Sequence, residues 1–200
     1  MARTGVGGWP LVGWCAAAIG LMVASLLAAA GTDHAGLRLV IRATARTSVV
    51  LFALAFAASG LRRRWPTPAT RWLLANRRYV GVSFAVSHLA HLLGILALTG
   101  WSLRGFFVEA GLVAGVLGGL GYVVIAAMVA TSFDVTAAWL GPRRWSRLHT
   151  AGVWYLWTIF FVSFAPRAHE APLLYGIFTA LLVAALLVRV TARSPAPLAA

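Results

Sequence analysis

Six apolar runs, each long enough to cross a bilayer, alternate with short arginine-bearing connections and leave this chain one kind of solvent to fold in. They lie at approximately residues 10–30, 37–60, 79–101, 106–131, 147–165 and 172–190. A helix needs about 20 apolar residues to span a hydrocarbon core of ~30 Å. Inside lipid no water can satisfy a backbone N–H or C=O, so each spanning segment must close its own hydrogen bonds as a helix. Composition removes the soluble alternative. The chain is 61% hydrophobic and 10% charged, with a mean hydropathy of +0.86, too few charges to cover a surface in water. The expected fold class is all-α: a polytopic membrane protein, one six-helix bundle over residues 1–200, with a disordered tail at 191–200.

The first run resembles a signal peptide, with Arg3 ahead of it and Ala28-Ala29-Ala30-Gly31 behind. It is longer than an ordinary h-region and a second apolar run follows at once, so it reads as a retained helix.

Arginine sets the orientation. The formal charge of +13 comes without a single lysine. A balance this basic can signal nucleic acid, but these arginines sit in short connections between apolar runs, which is the pattern of membrane topology. Arg62, Arg63, Arg64, Arg71, Arg77 and Arg78 fall between the second and third runs, and Arg143, Arg144 and Arg147 between the fourth and fifth. Arg3, Arg189 and Arg193 belong to the same side. The other side has Arg38, Arg104 and Arg167 beside Asp33 and Glu170. The positive-inside rule then puts both termini in the cytoplasm. Trp9, Trp65, Trp72, Trp101, Trp139 and Trp145 sit near the expected interfaces as aromatic belts. Cys15 is the only cysteine, which excludes an intramolecular disulfide and a thiolate metal cluster.

Polar groups at membrane depth are costly and ask for a reason. Arg38, Arg42 and Arg46 share one helical face. Arg38 and Arg42 suit snorkelling to the outer interface, whereas Arg46 is deep enough to face the bundle and pair with a carboxylate such as a haem propionate. Gly111, Gly115, Gly118, Gly119 and Gly121 give the fourth run the spacing of close helix contact. No strand precedes them, which argues against a nucleotide-binding loop. Glu109 and the histidines His34 and His169 fit the outer interface or loops. His88 and His91 lie three residues apart in mid-helix, and His149 opens the fifth run. A single helical histidine is ordinarily a hydrogen-bonding core residue. Histidines on two helices of one small bundle are also what a b-type haem requires, since its iron takes an imidazole from each side.

Two stretches carry a resemblance. Arg77-Arg78-Tyr79-Val80-Gly81 leads into His88-Leu89-Ala90-His91, and Thr131-Ser132 leads through Leu140-Gly141 to Arg144-Trp145-Ser146-Arg147-Leu148-His149. Arg46 with Leu61-Arg62-Arg63 forms a weaker third match. Over roughly residues 42–165 the chain resembles the ferric-reductase-like transmembrane family, nearest to its branch of haem-binding membrane subunits that serve periplasmic methionine sulfoxide reductase. The resemblance implies an electron-transfer component of an oxidoreductase system. Haem b would take His91 and His149 as iron ligands, His88 would stand in reserve, and Arg46, Arg77 and Arg78 would lie near the site. It implies a quinol or a flavin reductase as donor, with quinone or FMN as a further cofactor, and an extracytoplasmic reductase subunit as acceptor. No nucleic acid is expected, and the setting is a bacterial-type inner (plasma) membrane.

The chain departs from that pattern in two places. A histidine is usual in the family about thirteen residues after the one opening the fifth helix, where this chain has Phe161-Val162-Ser163-Phe164; and Ala45 replaces the glycine before Arg46. His91 stands thirteen residues beyond Arg78, roughly 20 Å at the helical rise, while His149 stays near the basic rim. A fifth helix beginning at Pro142 would recover roughly 10 Å, and tilt could supply the rest. Three arrangements follow: one tilted haem bridging His91 and His149, a separate haem on each, or a chain that has kept the fold without haem and serves a structural or assembly role.

Overall fold

The computed structural model describes residues 6–192. Arg3, Arg193 and positions 193–200 of the expected tail lie outside the described residues; Thr191, assigned to that tail, instead closes the last helix. Helix α1 spans Trp9–Ala30, with proline in its first turn, where no N–H is needed. Asp33 then caps α2, His34–Arg64, by accepting the Gly36 N–H at 2.9 Å. Arg62, Arg63 and Arg64 fill the last turn of α2, where the helix dipole favours cations. A short α3, Pro68–Ala75, follows a capping box of Thr67 and Thr70, and α4 runs Arg77–Leu98. Next come α5, Leu103–Ala110, and α6, Leu112–Ala130; then α7, Asp134–Leu140, and α8, Pro142–Phe164. A π-helical turn at Pro172–Gly176 leads into α9, Ile177–Thr191.

The fold is all-α, with no strand among the described residues. Six stretches are long and apolar enough to cross a membrane: Trp9–Ala30, His34–Arg64, Arg77–Leu98, Leu112–Ala130, Pro142–Arg167 and Pro172–Thr191. The chain is a multi-pass membrane protein by that measure.

Several boundaries differ from the sequence expectation: α2 runs on to Arg64 rather than ending at residue 60, and α4 spans Arg77–Leu98 rather than 79–101. Gly111 takes a φ of 76°, a left-handed conformation open to glycine, and so splits the fourth run into α5 and α6. Helix α8 begins at Pro142 rather than at Arg147, because arginine is a good helix former and can extend its charge to the interface. His34, expected in a loop, is the first residue of α2; it is exposed and accepts a hydrogen bond from Arg38 Nε at 3.2 Å.

Helix α2 is the centre of the bundle and packs against α4, α9, α1 and α3. Its seam with α4 is built from hydroxyls: Thr44, Ser48 and Ser87 are fully buried. Ser48 Oγ lies 3.0 Å from Ser87 Oγ, and Ser87 Oγ donates to the Thr44 carbonyl at 3.1 Å. Such small side chains let two helices approach and give each polar group a partner that lipid cannot offer. Farther along the seam, Phe52 and Phe84 meet Phe160 of α8, with the Phe52 and Phe160 rings 5.2 Å apart, and Phe56 packs on Phe52. The α2–α9 contact is closest at Gly60, where a Cβ would run into the Val188 carbonyl oxygen. Close contact along the fourth-run glycines is partial: Gly115 meets Phe107 and Gly121 meets α8, whereas Gly118 and Gly119 face open space.

Candidate functional site

The C-terminal ends of α2, α6 and α9 and the N-terminal ends of α4 and α8 gather at one end of the bundle, and they carry most of the arginines. Gly8 N–H donates to Asn76 Oδ1 at 2.9 Å, which brings the start of α1 to this same basic end. Between the helix ends lies a cavity of about 420 Å³, within the range of small-molecule and cofactor sites. Phe52, Phe84, Ile125, Met128 and Leu156 form its apolar wall; Arg77, Arg78, Arg189 and His149 also line it.

Helix α8 delivers His149 two turns past Pro142, half-buried against α6. Its Nε2 lies 3.0 Å from Thr131 Oγ1. The Thr131 hydroxyl donates to the Ala127 carbonyl at 2.8 Å, so its oxygen is left to accept from His149 Nε2–H. The lone pair of the imidazole is therefore on Nδ1. Trp145, one turn earlier, stacks on the His149 ring at 4.2 Å and donates its indole N–H to the Thr131 carbonyl at 2.9 Å. Thr131, the C-cap of α6, thus fixes both rings.

The three cavity arginines are held differently. Arg77 donates to Ser59 Oγ at 2.9 Å, and Arg78 pairs with Asp134 at 2.6 Å. Arg189 donates to the Phe56 carbonyl at 2.7 Å and lies over the Phe56 ring at 4.5 Å and the Trp154 ring at 5.7 Å. By sequence alone Arg189 is a topological charge. Its one warning signal was its place within the last apolar run rather than after it.

His88 and His91 lie elsewhere. Neither lines the cavity. His91 Nδ1 donates to the Ile41 carbonyl at 2.9 Å, which leaves Nε2 with the lone pair. That protonation pattern is common in metal-bound histidines. His88 stacks between His91, at 5.2 Å, and Tyr122, at 4.9 Å, with Phe160 edge-on at 5.5 Å. Its Nδ1 is buried without a hydrogen-bond partner among the described residues.

The two histidine sites are also separated in depth. Phe160 of α8 is the residue that meets His88, and it stands eleven residues beyond His149, about 16 Å along the helix axis. Beginning α8 at Pro142 does not close that gap. His91 and His149 therefore lie at different levels of the bundle, and of the two only His149 lines the cavity. Arg46 stands two residues from Thr44, half-buried, with no hydrogen bond or ion pair among the described residues, and it does not line the cavity. Arg42 and His169 are exposed, and Glu109 pairs with Arg38 and ties α5 to α2 at the opposite end of the bundle.

The chain matches no known family model, no curated protein and no solved structure.

Proposed function

We propose that the protein is an electron-transfer subunit of a bacterial-type inner (plasma) membrane, carrying haem b in the cavity at its basic end, with that end in the cytoplasm. The observation that carries this reading is the cavity itself: an imidazole and three guanidinium groups around an apolar chamber of about 420 Å³. A haem is an apolar ring with two carboxylates and an iron that takes nitrogen ligands, and these residues fit each part. His149 would offer a ring nitrogen to the iron, and Arg77 and Arg78 would hold the propionates. Phe52, Phe84, Ile125, Met128 and Leu156 would keep water out. Thr131 and Trp145 orient the imidazole and set its tautomer. The haem, when bound, supplies a one-electron carrier whose potential depends on ligand and surroundings. The resemblance around Arg77-Arg78 and Leu148-His149 supports the same reading. In it, quinol or a separate flavin reductase donates electrons, and an extracytoplasmic reductase subunit accepts them.

Absorbance of the purified protein tests this directly. A Soret band that sharpens and shifts on dithionite reduction is the expected result. No Soret band after expression with ample haem would refute it. A second reading, a haem-free protein of the same fold with a structural or assembly role, draws support from the filled packing around His88 and from the Thr131 bond already made by His149 Nε2.

A further inference from the structure

Arg189 and Arg77 line one cavity at the end of the bundle where positive charge is least compensated. Asp134 is the only carboxylate among the described residues at that end, and it is already engaged by Arg78. Arg77 is exposed and Arg189 half-buried, and the two cations repel each other beside an apolar wall of Phe52, Phe84 and Leu156. Arg189 is nonetheless fixed there. The Gly60–Val188 approach brings α9 against α2, so that the next residue, Arg189, reaches the Phe56 carbonyl at 2.7 Å. That bond and the Phe56 and Trp154 ring faces set the plane of the guanidinium and use one of its two terminal nitrogens. The other N–H groups remain to donate. Arg77 is oriented in the same way, with one terminal nitrogen on Ser59 Oγ at 2.9 Å.

We infer that Arg189, with Arg77, is an anion clamp that recognises the acid group of an amphiphile whose apolar body fills the cavity. This rests on the haem reading for its first source of acid, the propionates, and extends it by assigning Arg189, which lies outside the stretches of family resemblance. The same chemistry is present in an anionic phospholipid, whose phosphate attracts arginine at a membrane surface. A planar guanidinium already held on one side loses little freedom when it makes bidentate bonds to carboxylate or phosphate.

The test uses the full chain in phosphatidylcholine nanodiscs, titrated with ferric protoporphyrin IX and with its dimethyl ester, which lacks the acid groups. The wild type should prefer the free acid by about tenfold or more, the scale of a charge-assisted hydrogen bond. Arg189→Gln should lose that preference, Arg189→Lys should keep part of it, and Arg63→Gln, which removes a charge outside the cavity, should keep all of it. A wild type indifferent to esterification, or Arg189→Gln with its preference intact, overturns the clamp. If the wild type takes up neither porphyrin, the haem reading fails and the lipid arm decides. Native mass spectrometry from mixed nanodiscs should then show phosphatidylglycerol retained over phosphatidylcholine by wild type and lost from Arg189→Gln. Equal retention of the two lipids overturns the clamp as well. Should Arg189→Gln fail to fold, Arg189→Lys and Arg77→Gln are read against the same criteria.

Discussion

Replacing Gly60 by alanine should displace α9 and release Arg189 from the cavity. An added Cβ would meet the Val188 carbonyl oxygen, with the carbonyl carbon at 2.9 Å and Val188 Cγ1 at 3.0 Å. Ordinary contact begins at 3.4 Å, so the α9 backbone must retreat by at least half an ångström and farther for the oxygen. Backbone cannot rotate aside as a side-chain tip can, and overpacking of this kind costs about 1–3 kcal/mol. Lengthening the 2.7 Å bond from Arg189 to the Phe56 carbonyl adds part of a charge-assisted hydrogen bond, itself worth about 1.5–3 kcal/mol. The better helix propensity of alanine offsets about 1 kcal/mol of this. Gly119→Ala supplies the control, because nothing lies within 4 Å of a Cβ there and only the propensity gain applies. The two variants should therefore differ by about 2–4 kcal/mol. Unfolding in mixed micelles of rising SDS fraction, followed by tryptophan fluorescence, measures that difference. If both variants unfold at the same SDS fraction, α9 is not held where Gly60 places it, and the argument for Arg189 weakens with it.

Other outcomes follow from the same geometry. His149→Ala should lose most of the bound haem while His169→Ala, at an exposed position, retains it; equal haem content by pyridine haemochrome would refute the role given to His149. In ¹⁵N-histidine spectra His149 should carry its proton on Nε2, and Thr131→Val should abolish that preference by removing the acceptor. An unchanged spectrum would show that Thr131 does not set the tautomer. Ser48→Ala should destabilise the α2–α4 seam by about 0.6 kcal/mol and no more than ~1.7, the range found for interhelical hydrogen bonds within membranes. A larger loss in the same micelle titration would mean that the hydroxyl seam matters more than its pairwise bonds.

Hydropathy is a property of the chain read in one dimension, and it was enough to count the spans. The six runs correspond to six long apolar stretches because lipid allows a spanning segment little besides a helix. It was less good at their ends. Arg143, Arg144 and Arg147 look like a loop by hydropathy, yet they extend α8, since a charged helix end at an interface costs little. Gly111 looked like one of several packing glycines, and only its backbone angle distinguishes it as a break.

The candidate site divides along the same line. Sequence by itself selected the histidines and the Arg77-Arg78 pair, because ionisable groups in apolar runs are conspicuous, and it exposed the difficulty of depth between His91 and His149. Tertiary structure decided what each of them faces. Phe160 packs at the level of His88, which leaves His149 about 16 Å nearer the basic end, in a cavity that His91 does not share. Arg189 enters that cavity from a helix more than a hundred positions away from Arg77, through a glycine contact between α2 and α9. Such a contact depends on the relative position of two helices, and no spacing along the chain encodes it.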